Sequence, residues 1–491
     1  MFYTRDVESI KYDTALSYFK QFAEDVPGFL LESVDIAPIY GRLSIFSIDP
    51  PLEVVGSGED FYIRALNDYG KVLLSYITEE TFAFCSTFTK TESECRGTVK
   101  RAMEMLDESK RQQQTNISSV IRALLKIFAI DDPYLGLYGA FSYDFVRQFE
   151  DIPNVHAEGA IPDFHLFLPD VLYVFDHLKQ TAEIRYYNFS QVSLSSRLTG
   201  LPRTNELSQP FSVTGLESSC QRSEYEESVL KAKNYMKKGD IFEIVISRKF
   251  SGSCTGSTID LYTQYCEINP SPYMFYYRFP IAESKQLRTL LGASPEMFVR
   301  VEDNIVMTRP ISGTAIRSND PIEDYENMLD LLNSQKEKSE LDMLIDLARN
   351  DVSRVCEPGI AVKDYRYVEK YSKVMHTIAH VEGNLDVENF SAFDAFIACL
   401  NAGTLTGAPK IRAMELIEEM EIERRGYYGG NVGYITFNNE LNTGIIIRSA
   451  VIEDGSVSTQ VGATLLLDSQ PTAEFDETTN KASALLSVLT P

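Results

Sequence analysis

The chain has 491 residues, 44% of them hydrophobic, and a formal net charge of −25 at pH 7. This length and composition allow a large buried core, in one large domain or in two or three average ones. The acidic balance argues against nucleic acid and anionic membranes as partners, because both require a basic face, so an anionic substrate would need a locally positive pocket.

The first part of the chain alternates strand-like apolar runs with helical stretches. Helices are predicted at about 98–106 and 118–128, and the apolar run 166–177 predicts a strand. The segment 191–215 is rich in Ser, Thr, Pro and Gly and lacks periodicity, which predicts a surface linker. Further short strands are predicted within 24–36, 44–56 and 61–66.

The part after the linker combines a predicted helix at 224–238 with many strands. Short turns such as 437–440 and 453–455 join several of these strands, which indicates antiparallel pairing. We therefore predict a largely antiparallel α+β layered protein without a regular βαβ array. The strands are predicted at 241–250, 296–302, 304–309, 432–437, 443–452 and 464–469.

The chain shows no sign of export. Its first residues lack a basic segment followed by a long apolar run, and no apolar stretch is long enough to span a bilayer. The seven cysteines include no Cys-x-x-Cys pair, which is typical of a reducing compartment rather than of a disulfide framework or zinc site. We expect a cytoplasmic protein without a membrane partner.

Two Glu-x-x-Glu pairs are the main chemical signal. Glu337 and Glu340 form one pair and Glu474 and Glu477 the other, each in a stretch with helical spacing. Residues three apart share a helix face, so each pair projects two carboxylates in one direction. Four converging carboxylates would repel one another unless they bind a cation, and Mg2+ is a cation that prefers oxygen ligands.

Several polar residues near the second pair could bind an anion. Arg448 follows an apolar run, where a guanidinium is costly unless it meets an anion or a structural ion pair. Tyr428 precedes a Gly-Gly turn that lets backbone approach a ligand. Lys481 lies one helical turn beyond Glu477, and the backbone N–H groups of Gly462 and Ala463 could contribute to an anion site.

Seven segments together carry a resemblance to a known family. The sequence closely resembles the chorismate-utilising enzymes and, within them, anthranilate synthase component I. The resemblance covers nearly the whole chain and implies a large, mostly antiparallel two-sheet sandwich flanked by helices. The segments are GASPEMF (292–298), PISGT (310–314), KEKSELDMLIDLARND (336–351), YSKVMH (371–376), AGTLTGAPKIRAME (402–415), YYGGNVGY (427–434) and GATLLLDS (462–469).

The resemblance implies a reaction and a role for each site residue. Chorismate and ammonia would give anthranilate and pyruvate with Mg2+ as cofactor, held directly by Glu340 and Glu477 and through water by Glu337 and Glu474. The resemblance further implies that Tyr428, Arg448, Gly462, Ala463 and Lys481 bind the substrate carboxylates, and that His376 and Thr404 line the reacting ring. His376 is our candidate for proton transfer at the elimination of pyruvate.

Two positions indicate which nucleophile the enzyme adds to chorismate. Relatives that add water carry a Lys where this chain has Glu243, and relatives that aminate C4 carry a Lys where it has Ser312. Addition of water and amination at C4 are therefore disfavoured, which leaves amination at C2. Glu243 is included among the candidate catalytic residues. Leu341 and Thr464 also depart from many component I chains. These departures leave open an enzyme that stops at 2-amino-2-deoxyisochorismate.

The resemblance also implies a feedback site for tryptophan. Its first motif would lie in the N-terminal region (1–190), which packs on a chorismate-binding catalytic domain (216–491) that supplies the other residues of the site. Gly444 stands where some relatives have a contacting Cys. An alternative of another class is a non-catalytic tryptophan-sensing subunit, although such a protein would need none of the catalytic residues. The predicted effector residues are Leu31, Glu32, Ser33, Asn269, Pro270, Ser271, Tyr273, Met274 and Gly292.

The source of ammonia is expected to be a second protein. Cys254 within Gly-x-Cys-x-Gly and His380 within His-x-Glu formally mimic a glutamine amidotransferase triad. Both lie inside the predicted catalytic domain, and no spare segment remains for a separate amidotransferase fold. We therefore predict a partner glutamine amidotransferase subunit, with free ammonia able to replace it in vitro.

Overall fold

A computed structural model describes residues 3–33, 42–102, 112–157, 159–189, 194–204, 209–282, 284, 286–371 and 374–490. Two large antiparallel sheets form the body of this part of the chain, with helices around them. The α+β prediction and the two-sheet architecture implied by the resemblance are therefore confirmed.

The strands in chain order are β1 Thr4–Ile10, β2 Gly28–Glu32, β3 Leu43–Ile48, β4 Leu52–Ser57, β5 Asp60–Ala65, β6 Thr87–Lys90, β7 Glu94–Thr98, β8 Gly136–Phe141, β9 Phe164–Leu168, β10 Val171–Asp176, β11 Thr181–Asn188, β12 Ser212–Ser218, β13 Glu243–Thr255, β14 Tyr273–Pro280, β15 Leu287–Ser294, β16 Met297–Glu302, β17 Ile305–Thr308, β18 Ile311–Ile316, β19 Ala361–Lys370, β20 Val374–Asn384, β21 Gly407–Ala408, β22 Asn431–Thr436, β23 Leu441–Ile445, β24 Ser449–Glu453 and β25 Ser456–Leu465.

The α-helices are α1 Ala15–Phe19, α2 Asp68–Ser75, α3 Ser118–Ile127, α4 Leu194–Thr199, α5 Arg222–Lys238, α6 Thr258–Ile268, α7 Pro321–Asn333, α8 Gln335–Ser353, α9 Ala392–Cys399, α10 Lys410–Met420 and α11 Pro471–Leu489, and two short 3-10 helices span Tyr143–Gln148 and Gly403–Leu405.

Strands from both ends of the sequence share each sheet. The first sheet has the order β1-β11-β10-β3-β2-β14-β15-β24-β25-β13-β12, and β21 pairs with β13. The second has the order β18-β20-β17-β16-β23-β22-β8-β9-β4-β5-β7-β6, and β19 pairs with β20. One large hydrophobic core therefore contains residues such as Phe29 and Tyr138 from the N-terminal half and Tyr277 and Val432 from the C-terminal half.

Four short links carry the chain directly from one sheet to the other. They join β3 to β4, β9 to β10, β15 to β16 and β23 to β24, and each is two or three residues long. Two of the predicted single strands are wrong for this reason: 166–177 is divided between β9 and β10, and 443–452 between β23 and β24. Apolar periodicity continues across such a link because both strands face the same core.

The predicted helices are confirmed in part. Helices α3 and α5 match the predictions at 118–128 and 224–238. The prediction at 98–106 is wrong for residues 98–102, where β7 ends and no helix forms, and residues 103–106 lie outside the described part. Within the predicted linker, 191–193 and 205–208 also lie outside it, while helix α4 buries Leu194 and Leu198. The domain boundaries remain a prediction.

Candidate active site

The first carboxylate pair lies at the start of α8. The Ser334 side chain caps this helix by accepting a hydrogen bond from the Glu337 backbone N–H at 3.2 Å, so Glu337 and Glu340 occupy its first turns. Burial, followed by the neighbouring Glu337 charge, raises the pKa of Glu340 to about 7. The predicted helical setting of the pair is confirmed.

The second pair lies at the start of α11, where Pro471 occupies the first turn. Glu474 is buried, and its Oε2 atom has no hydrogen-bond partner among the described residues. Burial is the main cause that raises the pKa of Glu474. The Lys481 ammonium lies 2.8 Å from Glu477 Oε1, and Lys481 also donates to the Gly462 carbonyl at 3.2 Å.

Lys481 connects the two pairs electrostatically. Its positive charge offsets part of the rise in the pKa of both Glu340 and Glu474, so both carboxylates lie within electrostatic reach of this ammonium. Within the described ranges, no three His, Cys, Asp or Glu side chains converge closely enough to form a metal site. The unpartnered Glu474 oxygen and the oxygen-only donor set nevertheless fit Mg2+, which binds carboxylates together with water.

Strand β13 forms one wall of this region. Alternate residues of the strand face opposite sides, so Glu243 and Val245 point away from Ile244, which packs in a second core with α5 and α10. Glu243 is only 1% exposed, and its Oε2 atom lacks a hydrogen-bond partner in the described structure. Burial, followed by the Glu340 charge, raises the pKa of Glu243 to about 8, so this carboxyl group is mostly protonated at neutral pH.

A buried carboxyl group that the sequence analysis missed contacts the predicted Thr404. The Thr404 hydroxyl donates a 2.6 Å hydrogen bond to Glu296 Oε1. Burial raises the pKa of Glu296 to about 7, against the effects of Thr404 and Lys481. Glu296 lies in the link between β15 and β16, and the GASPEMF motif was the sequence signal that could have identified it.

His376 lies on β20 and is held by residues of the paired strand β18. Its Nδ1 atom is 2.8 Å from the Gly313 carbonyl and 3.1 Å from the Thr314 hydroxyl. Because a carbonyl only accepts, Nδ1 carries the hydrogen and Nε2 keeps a lone pair. Burial is the main cause that lowers the pKa of His376, and the charges of Arg448 and Lys481 lower it further. The imidazole is therefore a neutral proton acceptor at pH 7.

Arg448 does not lie inside a strand, as the predicted strand 443–452 would place it. It lies in the link between β23 and β24 and has a φ of +50°, a conformation that is uncommon outside glycine. Its own carbonyl accepts a 3.1 Å hydrogen bond from the Tyr265 hydroxyl. The guanidinium makes no hydrogen bond or ion pair with the described residues.

The Tyr428 side chain packs against Gly462, and these two residues form what we call the floor of the candidate site. A Cβ atom added to Gly462 would lie 2.8 Å from the Tyr428 hydroxyl, so only glycine leaves room for this ring. Ala463 is the next residue of β25, and its side chain belongs to the second core behind the strand. The structure therefore brings Gly462 and Tyr428 together, whereas Ala463 contributes only backbone.

The predicted effector residues lie in two groups. A cavity of about 280 Å3 between the two sheets is lined by five of the nine, Leu31, Glu32, Ser33, Tyr273 and Met274. Asn269, Pro270, Ser271 and Gly292 do not line it. Burial raises the pKa of Glu32 to about 6, although the Tyr262 hydroxyl donates to it at 3.0 Å. A Cβ atom at Gly444 would meet the Tyr273 ring at 2.6 Å, so glycine permits this packing.

The formal amidotransferase residues are not brought together. Cys254 lies on β13 in the first sheet and His380 on β20 in the second. Burial raises the pKa of the Cys254 thiol, which disfavours the nucleophilic thiolate. The interpretation that this pair has no amidotransferase function agrees with the geometry.

Comparison with known proteins identifies the family. A sequence model of the chorismate binding enzyme family matches residues 78–487. Anthranilate synthase component 1 of Escherichia coli is 37% identical over 96% of this chain and 94% of its own length. The protein of the same name from Acetivibrio thermocellus is 34% identical over 97% of this chain and 93% of its own length.

Solved structures agree with this result. The anthranilate synthase component I of Streptococcus pneumoniae superposes with a TM-score of 0.68 at 27% identity, covering 97% of this chain and 99% of that one. The Escherichia coli menaquinone-specific isochorismate synthase MenF has a TM-score of 0.67 at 16% identity, with 100% and 95% coverage, and shows the shared fold. Among the described residues, no helix is long and apolar enough to cross a membrane. The chain belongs to the chorismate binding enzyme family and, within that family, it groups with anthranilate synthase component 1. Enzymes of this type are lyases.

Proposed function

We propose that the chain is the large subunit of anthranilate synthase, which converts chorismate and ammonia to anthranilate and pyruvate in the first step of tryptophan biosynthesis. The main support for this proposal is the match to anthranilate synthase component 1 over 96% of the chain; the positive charges of Arg448 and Lys481, both of which lower the pKa of the buried His376 imidazole, agree with it. A chain with a net charge of −25 thus has two cations beside one proton acceptor. Chorismate is a dicarboxylate, and such a pocket suits it.

Mg2+ is the proposed cofactor, and Glu340, Glu477, Glu337 and Glu474 would hold it. When bound, it would neutralise the ring carboxylate and act as a Lewis acid. The unpartnered Glu474 oxygen and the raised pKa of Glu340 support this assignment, because a cation would relieve both.

The proposed chemistry uses three side chains of this chain. Ammonia adds at C2 as the C4 hydroxyl leaves as water, and Glu296 supplies the proton for the departing water because its pKa of about 7 keeps it partly protonated. The added nitrogen releases one proton to solvent as it becomes an amine. Thr404 orients that carboxyl group through its hydrogen bond. His376 Nε2 then takes the C2 proton, the C–O bond to the enolpyruvyl group breaks, and the departing group gains a proton as pyruvate.

Product analysis tests the main proposal. Purified chain would be incubated with chorismate, Mg2+ and excess ammonium at about pH 8.5, and products followed by fluorescence and mass spectrometry. Anthranilate with equimolar pyruvate is the expected result. Accumulation of 2-amino-2-deoxyisochorismate without pyruvate would instead establish the arrested enzyme, which the departures at Glu243, Ser312, Leu341 and Thr464 leave open. Ligand binding without turnover would establish the sensor.

A glutamine amidotransferase subunit is the proposed partner and ammonia source. The relatives named component 1 support a second component, and the separation of Cys254 from His380 gives this chain no such activity of its own. We expect the isolated chain to use ammonium but not glutamine, and we expect both proteins in the cytoplasm. Glutamine-dependent turnover by the isolated chain would contradict this proposal.

Tryptophan is the proposed feedback inhibitor, and the cavity between the sheets is its proposed site. The cavity of about 280 Å3 combines the Glu32 carboxyl group with apolar walls such as Met274, a combination suited to an amino acid with a large apolar side chain. Calorimetric titration with tryptophan is expected to show one site per chain, and phenylalanine is the matched control ligand. Absence of binding would remove the regulatory proposal without affecting the catalytic one.

A further inference from the structure

A buried ion pair lies behind the candidate active site. Arg425 and Glu421 are 5% and 8% exposed. Arg425 Nε donates to Glu421 Oε2 at 2.9 Å, and Nη2 donates to Oε1 at 2.6 Å, so the contact is bidentate. Burying two charges is costly, and such a pair is weak evidence for stability alone. The other hydrogen bonds of Arg425 and Glu421 indicate the role of this pair.

The same guanidinium connects two walls of the site. Arg425 Nη1 donates to the Leu405 carbonyl at 2.6 Å, and Nη2 donates to the Val245 carbonyl at 2.8 Å. Leu405 follows Thr404, which contacts the Glu296 carboxyl group. Val245 is two residues beyond Glu243 on β13 and faces the same side. The Arg425 side chain thus fixes the backbone next to Thr404, which contacts the Glu296 carboxyl group, and the backbone of the strand that carries Glu243.

The pair also supports the floor of the site. The Arg425 guanidinium carbon lies 5.5 Å from the centre of the Tyr428 ring and 4.7 Å from that of Tyr143. Glu421 Oε1 accepts hydrogen bonds from the Ser247 backbone N–H at 2.8 Å and from its hydroxyl at 2.7 Å. Strand β13 is therefore held by both members of the pair.

We propose that Arg425 is a positioning residue, which with Glu421 fixes Thr404, Glu243 and Tyr428 relative to one another. It acts through these groups and not on the substrate, because its donors are directed at Glu421 and at backbone carbonyls. Only a planar fork can reach a carboxylate and two carbonyls at once, whereas lysine is a point charge on a flexible stem. The roles of the three groups rest on the proposed function.

Four variants separate positioning from simple stabilisation. R425M leaves Glu421 buried and unpaired, so we expect a large fall in Tm. R425M/E421M removes both charges, and replacing a buried pair by apolar residues is often neutral, so Tm should recover. Activity should not recover: we expect kcat about 100-fold below wild type, because a displacement of about 1 Å costs that much. R425K should retain much of the Tm and lose about 10-fold in kcat, because one ammonium nitrogen with three donors cannot replace the four hydrogen bonds of the fork. R424M is the matched control, with wild-type kcat.

Two results would overturn the proposal. One is recovery of wild-type kcat together with Tm in R425M/E421M, and the other is full kcat in R425K. A readout that does not need turnover is amide hydrogen exchange, which should become faster at 403–407 in the double variant and stay unchanged in R424M. Unchanged exchange there would refute positioning, whereas wild-type protein inactive on chorismate would refute only the proposed function.

Discussion

Replacing Glu296 with glutamine is expected to stabilise the protein at alkaline pH while removing most of its activity. The folded structure raises the pKa of Glu296 from its ordinary value of 4.5 to about 7 through burial. The folded state therefore binds this proton more tightly than the unfolded state does. Stability is lost as the pH rises from the unfolded pKa through the folded one, because the buried carboxylate becomes charged.

The size of the effect follows from the difference between the folded pKa of about 7 and the ordinary value of 4.5, because each tenfold change in proton affinity is worth about 1.4 kcal/mol. Linkage gives a cost of about 1 kcal/mol at pH 5.5 and about 3 kcal/mol at pH 8.5 in the wild type. Glutamine is neutral at both values and can still accept from the Thr404 hydroxyl. The free energy of unfolding of E296Q relative to wild type should therefore be about 2 kcal/mol higher at pH 8.5 than at pH 5.5. For a chain of this length, this difference corresponds to about 2 °C in Tm.

Thermal unfolding of E296Q and wild type at the two pH values measures this difference. Any fixed cost of burying the amide is the same at both values, so the change with pH isolates the carboxylate. E357Q, at an exposed glutamate, is the control and should show no such trend. Loss of a proton donor should lower kcat by about 100- to 10,000-fold. A pH-independent difference in Tm, or retained kcat, would refute the reasoning.

Four further predictions concern separate parts of the molecule. G313A should lower the free energy of unfolding by about 1 kcal/mol or more and weaken activity, because Gly313 has a φ of +73° and an added Cβ would lie 2.7 Å from Glu337 Oε2. E340Q should abolish Mg2+-dependent turnover and calorimetric Mg2+ binding. C254A should leave ammonium-dependent turnover unchanged. S33A should weaken tryptophan binding about 5-fold, because it removes the Ser33 hydroxyl that bonds to the Pro272 carbonyl at 2.8 Å.

The contrary outcomes are equally specific. A fully stable G313A would show that strand β18 tolerates a side chain at this position, and Mg2+ binding by E340Q would place the metal elsewhere. Loss of ammonium-dependent turnover in C254A would give the buried thiol a role in catalysis. For S33A, the control is S228A on α5, a residue that does not line the cavity. Unchanged tryptophan affinity in S33A would exclude Ser33 from the site.

Local patterns in the sequence predicted what depends on local spacing. The two glutamate pairs and Lys481 follow from helical periodicity, and α8 and α11 place them as predicted. Glu296 could not be found in this way, because its partner Thr404 is 108 residues distant in sequence. Arg448 was placed inside the single predicted strand 443–452, because nothing in the apolar run signals its positive φ or the change of sheet.

The links between the sheets limit how the molecule can open. Each of the four ties the end of a strand in one layer to the start of a strand in the other within two or three residues. The two sheets therefore cannot separate at these four links. Glu296 and Arg448 lie in two of these links, so each is tethered to both layers at once.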